Sequence, residues 1–319
     1  MKILIADKFE DVGIKELKAI ADEVACEPGL KDEALARRVG EYQPDVLIVR
    51  STKVQAPTLQ AARNLKLIIR AGSGYDTIDV AAASQRGIKV SNCPGMNAVA
   101  VAELVMGLMI SVDRRIPDNV ADLRAHKWNK KLYSKARGLK GRTLGIVGAG
   151  KIGTEVAKRA LAFDMNVIFY DILPDVKCVD HPNCRRVGLD ELFRTADFIT
   201  LHVPGTGDTK HLVNAQRLAM MKPDAVLINT SRASVIDEPA LIAALKEGKI
   251  RAAAVDLYEN EPPADGTSIQ SPLCDVPNLY GTHHIGASTD QAQLAVAEET
   301  VRIVRQFKKN GQVLNCVNP

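Results

Sequence analysis

Nothing in this 319-residue chain reads as an export or membrane signal. The start, MKILIADKFED, has too short an apolar run for a signal peptide and turns acidic at once. The longest apolar helix candidate, Asn97 to Val112, carries Glu103 and is too short to span a bilayer. No block of like charge suggests a tail for nucleic acid or membrane, since the net charge is +4 and the basic residues are scattered among acids. The six cysteines follow no framework, which suits reduced thiols and a cytoplasmic location. CVDHPNC (178–184) matches no usual zinc spacing, so no metal is expected. Repeats and low-complexity segments are lacking. Aromatic residues are scarce, at 4%, with one tryptophan, Trp128, read as a packing or subunit-interface residue.

What is present is length enough for two cores and an apolar fraction of 46%. Strand and helix patterns alternate, which makes the class α/β. KILIAD, VLIVR, LKLIIR and Lys89 to Ser91 read as the strands of a first unit without a phosphate-binding fingerprint. Asn97 is a good N-cap for the long helix that follows. That helix is apolar on nearly all sides and needs burial beyond one sheet face. A second unit has strands expected at Thr143–Val147, Asn166–Tyr170, Phe198–Leu201, Ala225–Asn229, Ala252–Asp256 and Leu279–Gly281. No sheet follows the last helix, Thr289 to Lys309, so it is expected to pack back on the first unit. The expectation is two Rossmann-like domains, with the nucleotide-binding one (96–284) inserted in a discontinuous substrate-binding one (1–95 and 285–319). The loop Glu261 to Val276 is expected to be exposed.

The most informative run is GIVGAGKIG, which holds Gly148-x-Gly150-x-x-Gly153 after an apolar strand and before a helical pattern, Lys151 to Ala162. Such glycines allow a tight turn, close approach of backbone to a pyrophosphate, and close helix–strand packing. The pyrophosphate then lies on the positive end of the helix. The next strand ends in Asp171, an acid placed to accept from the adenosine ribose hydroxyls of NAD. Asp171 would repel a 2′-phosphate, and no arginine follows it directly, so NAD is expected over NADP.

Ligands of open α/β sheets lie at the carboxyl ends of the strands. There, INTSR brings Arg232, DLYENEPP brings Asp256, Glu259 and Glu261, and GTHHIG brings His283 and His284. A guanidinium, a carboxylate and a histidine meet the needs of hydride transfer at a 2-hydroxy acid: one grips the substrate carboxylate, one orients the imidazole, one exchanges the hydroxyl proton. The remaining histidines, His126, His181, His202 and His211, read as structural or solvated.

VRSTKV (49–54), RAGSGYDTID (70–79), GRTLGIVGAGKIG (141–153), LINTSRASVID (227–237), AAAVDLYENEPP (252–263) and THHIGAST (282–289) together resemble the D-2-hydroxyacid dehydrogenase family, nearest its phosphoglycerate dehydrogenase branch. The resemblance implies Arg232, Glu261 and His284 as catalytic residues, with Glu261 preferred to Glu259 and His284 to His283. Most relatives have proline where this chain has His283. It implies NAD contacts at Ser73, Gly148, Gly150, Lys151, Ile152, Gly153, Asp171, Val203, Pro204, Thr230, Ser231, Arg232, Asp256, His284, Gly286 and Ala287. Substrate would meet Arg50, Ser51, Arg70, Gly72, Ser73, Gly74, Asn97, Arg232 and His284. Two arginines on the first unit suit a phosphate, which favours 3-phosphoglycerate; glyoxylate or hydroxypyruvate reduction is the enzymatic rival. A non-catalytic NAD-sensing corepressor is the rival from another class. Partners are expected to be a small anionic acid and a second copy of the chain, with neither nucleic acid nor membrane. The dimer, or a tetramer built from it, would form through the NAD-binding domain. An end at Pro319, straight after the last helix, predicts the form without the family's regulatory domain.

Overall fold

The computed structural model describes residues 1–262 and 266–318. Residues 263–265, within the loop expected to be exposed, and residue 319 lie outside the described residues. The chain falls into two compact units, Met1–Asn97 with Ser288–Pro319, and Ala98–Ala287. Among the described residues no helix is long and apolar enough to cross a membrane.

The first unit is built on β1 (Lys2–Ile5), β2 (Glu23–Cys26), β3 (Val46–Val49), β4 (Leu67–Arg70) and β5 (Lys89–Asn92). They form one parallel sheet in the order β2-β1-β3-β4-β5. β3 is buried along its whole length, as an unbroken apolar run in a parallel sheet requires. β2 gives no such signal: it is an edge strand with Glu23 exposed and the other three residues only half-buried. The helix Asp290–Asn310 is capped by Thr289 at one end and Gly311, at φ +74°, at the other. Its Val296, Val301, Ile303 and Val304 share a core with Ile3, Ile5, Val46, Ile48, Leu67 and Ile69.

The second unit adds β6 (Thr143–Val147), β7 (Asn166–Tyr170), β8 (Cys184–Arg186), β9 (Phe198–Leu201), β10 (Val226–Asn229), β11 (Ala252–Val255) and β12 (Leu279–Gly281). This sheet is also parallel, in the order β12-β11-β10-β9-β6-β7-β8. The order reverses between β6 and β9, so the crevice for a ligand opens at their carboxyl ends. Neighbouring residues of β10 enter different cores: Leu227 one, Val226 and Ile228 the other. Strand residues point alternately to opposite faces, so both faces of this sheet are covered.

The apolar helix is Ala98–Arg114, and it is satisfied within its own unit. Val105, Leu108, Met109 and Val112 pack with Val156, Ala157 and Ala160 of the helix Lys151–Ala162 and with the sheet. Most of its apolar surface is therefore buried within its own unit. Apolar surface remains at Val99, at Ile116, Val120 and Leu123 of the helix Ile116–Arg124, and at Trp128, which is 81% exposed.

The far end of the apolar helix is fastened by Asp113, which is 2% exposed. Its carboxylate accepts from the Gly138 amide at 2.8 Å, Arg142 Nη1 at 3.3 Å and Arg251 Nη1 at 3.4 Å. The contacts join the helix to the starts of β6 and β11. Removing one partner of a buried ionic cluster leaves the other charges uncompensated. Asp113→Ala should therefore lower unfolding stability by about 3–5 kcal/mol. Urea denaturation measures it, and a loss under about 1 kcal/mol, the worth of an exposed ion pair, would refute this role.

Candidate active site

The second unit's site begins where β6 turns into the helix Lys151–Ala162. Gly148 has φ +94°, and a Cβ there would lie 2.5 Å from the His202 carbonyl oxygen. A Cβ on Gly153 would lie 2.1 Å from the Gly148 carbonyl oxygen, so helix and turn touch through backbone alone. Beside Gly150 nothing lies within 4 Å of such a carbon, and no side chain caps the helix it precedes. That combination leaves the positive helix end open to an anion. Asp171, just past β7, closes over the turn: Oδ2 accepts from the Ala149 amide at 2.8 Å and Oδ1 from the Leu173 amide at 3.0 Å. Past β9, His202 lies beneath the turn with Nε2 3.0 Å from Thr200 Oγ1. Burial pushes its imidazole down to about 3, so it is neutral. Val203 is half-buried and Pro204 exposed.

Three further strand ends carry the reactive side chains. At the end of β10, buried Asn229 shapes the turn. Its Oδ1 accepts from the Ser231 amide at 3.0 Å and hydroxyl at 2.8 Å, and its Nδ2 donates to the Arg232 carbonyl at 2.9 Å. The turn thus presents Arg232, whose Nη1 donates to the Ser231 carbonyl at 2.8 Å. Thr230 and Ser231 are buried beside it. At the end of β11, Asp256 is 1% exposed and fully engaged. Oδ1 accepts from Thr282 Oγ1 at 2.6 Å and the Ile285 amide at 2.9 Å; Oδ2 accepts from the Gly286 amide at 2.9 Å. Between those anchors His284 adopts φ +51°, a left-handed conformation uncommon for residues other than glycine. Its Nδ1 lies 2.7 Å from Glu261 Oε2, while Glu261 Oε1 accepts from the Tyr258 amide at 3.1 Å. The histidine side chain is 54% exposed and therefore accessible.

The first unit holds its own cluster. Asp7, two residues past the buried end of β1, accepts from the Arg50 amide at 2.6 Å, Ser51 Oγ at 2.8 Å and the Thr52 amide at 3.2 Å. Burial presses the Arg50 guanidinium below its ordinary range, with Asp7 and Glu10 opposing. Arg70 ends β4 and folds over Gly72, where a Cβ would meet its Nη1 at 1.6 Å and φ is +152°. Only glycine permits that path. Ser73 Oγ lies 2.8 Å from Asn97 Oδ1 and 3.2 Å from the Cys93 carbonyl, and accepts from the Gly95 amide at 3.2 Å. Asn97 thus ties the 73–74 turn to the segment that ends the unit.

Asn229 and Asp7 escaped the sequence reading although both touch predicted residues. Their one signal is a short polar residue just past an apolar strand, ahead of a turn that needs amide acceptors. In CVDHPNC the nearby thiols of Cys178 and Cys184 shift each other, Cys178 upward and Cys184 downward. Among the described residues no three His, Cys, Asp or Glu side chains group to hold a metal ion.

A switch point with a glycine turn, an open helix end and a terminal acid defines a dinucleotide-binding α/β unit. The chain belongs to the D-isomer specific 2-hydroxyacid dehydrogenase family, whose NAD-binding domain matches residues 106–286. It is 44% identical over 311 residues to a D-3-phosphoglycerate dehydrogenase of Methanocaldococcus jannaschii, covering 96% of this chain and 58% of that protein. It is 47% identical over 290 residues to a hydroxypyruvate reductase of Thermotoga maritima, covering 91% of each. Among solved structures, the D-lactate dehydrogenase of Aquifex aeolicus complexed with NAD and lactic acid superposes with a TM-score of 0.84 at 28% identity, over 100% of this chain and 99% of that one. The chain thus spans less than three-fifths of the phosphoglycerate dehydrogenase it matches.

Asp7 has a pH signature. Burial raises its carboxyl, but the three hydrogen bonds from residues 50–52 outweigh that and hold it below the usual aspartate range. A lowered carboxyl stabilises the fold above its unfolded pKa and loses that effect as pH falls through the folded value. Asp7→Asn should reduce stability by about 1–3 kcal/mol at neutral pH, and the gap should shrink below about pH 4. Urea unfolding at several pH values tests this; a gap that stays constant with pH would contradict it.

Proposed function

We propose that the chain is an NAD-dependent oxidoreductase acting on a D-2-hydroxy acid, with 3-phosphoglycerate as its substrate. The observation that carries the reading is the 2.7 Å pair of His284 Nδ1 and Glu261 Oε2, in the unit that also holds the glycine turn and Arg232. When bound, NAD supplies the nicotinamide that takes up the hydride. The Glu261 carboxylate holds the Nδ1 proton, which leaves Nε2 of His284 to accept the substrate hydroxyl proton and stabilises the imidazolium that forms. Arg232 grips the substrate carboxylate bidentately. The open N-terminus of the helix Lys151–Ala162 takes the pyrophosphate, and Asp171 the ribose hydroxyls.

The substrate choice rests on Arg50 and Arg70. One cation suffices for the carboxylate, so two more suit a phosphate. A hydroxypyruvate reductase is the second reading, supported by a relative of that name at comparable identity. Steady-state assays separate them. 3-Phosphoglycerate should be turned over far better than D-glycerate, and Arg50→Ala should raise KM for the first while barely changing it for the second. Comparable efficiency on both acids would favour the reductase. His284→Ala should lower kcat by about 10²–10⁴. Glu261→Gln should be milder and move the pH–rate profile toward lower pH. A larger loss from His283→Ala or Glu259→Gln would overturn the assignment.

The second unit is also proposed to carry a homodimer interface. Its support is the apolar surface at Val99, Ile116, Val120, Leu123 and Trp128. Light scattering at micromolar concentration should give twice the 34.5 kDa chain mass. A monomeric mass would refute the interface.

A further inference from the structure

We propose that Arg186 is a second discriminator between NAD and NADP, a latent ligand for the adenosine 2′-phosphate that the Asp171 carboxylate keeps out of use. The proposal rests on the NAD reading above and extends it. Arg186 is fifteen residues from Asp171 in sequence. It lies on the edge strand β8, which the apolar pattern does not reveal, and its register partner on β7 is Phe169. Asp171 follows two residues further along that neighbouring chain. The guanidinium stands 5.6 Å from the Phe169 ring centre. Its Nη2 donates to the Leu173 carbonyl at 2.6 Å and the Asp171 carbonyl at 3.3 Å. A cation is thus held at the very turn whose first residue accepts the ribose.

Its present partners are weak ones for such a group. Both are neutral carbonyls served by one nitrogen, and among the described residues Arg186 forms no ion pair with a carboxylate. A guanidinium binds a phosphate through two parallel charge-assisted hydrogen bonds, which are stronger than bonds to neutral carbonyls. The obstacle is Asp171, whose negative charge repels a 2′-phosphate and whose oxygens hold the Ala149 and Leu173 amides. Without that charge, the arginine that NADP enzymes need is already in place.

Equilibrium binding of NADH and NADPH to the wild type, Asp171→Ser, Arg186→Ala and the double variant tests this. Asp171→Ser should bind NADPH about tenfold tighter than the wild type does, the worth of one charge-assisted bond. Adding Arg186→Ala should erase most of that gain, while Arg186→Lys should keep part of it, since an ammonium holds the charge without the fork. The coupling should be found with NADPH and not with NADH. Asp171→Asn, which retains the side-chain shape, serves the same comparison if Asp171→Ser unfolds. A double variant that binds NADPH as tightly as the single one, or equal coupling for both nucleotides, overturns the role of Arg186 alone. A folded wild type that binds neither nucleotide overturns the NAD reading along with it.

Discussion

The placement of the imidazole depends on one buried carboxylate. Asp256 ends β11 almost without solvent contact, and a charge so placed must find donors or be expelled. It finds three, all from residues 282–286. Those bonds pull the loop across the end of the sheet and hold His284 in a left-handed backbone conformation. The contact with Glu261 follows from that position. Asp256, expected as a nucleotide contact, has its carboxylate engaged by the loop that carries His284.

The same device recurs at two other strand ends that lead into an arginine. Asn229 shapes the turn of Arg232, and Asp7 that of Arg50. Each is a short polar side chain whose few rotatable bonds lose little entropy on fixing. Each satisfies amides that a turn would otherwise leave unpaired. Long, flexible arginines are thereby aimed from rigid bases.

The glycine turn and the central strands were legible because their physics is local. VLIV is an unbroken apolar run, and Gly148 takes φ +94°, a conformation that glycine adopts readily. The edge strands β2 and β8 were not, because EVAC and CRR are half-exposed and lack a continuous apolar run. Pairing along one side only asks little of composition. Asp7 and Arg186 were missed for a different reason. Their partners lie 43 and 15 residues away, at distances only the folded sheet closes. The helix Lys151–Ala162 covers much of the long apolar helix, while Val99 stays exposed.

The helix Asp290–Asn310 ties the first unit to the order of synthesis. In one of the two cores around β1, β3 and β4, Val296, Val301, Ile303 and Val304 are made after the whole intervening unit, 98–287. At ribosomal speeds that unit takes about 10–40 s to make. Throughout that interval one face of the first sheet lacks part of its cover. The segment that emerges first therefore cannot complete that core until the last helix has been made.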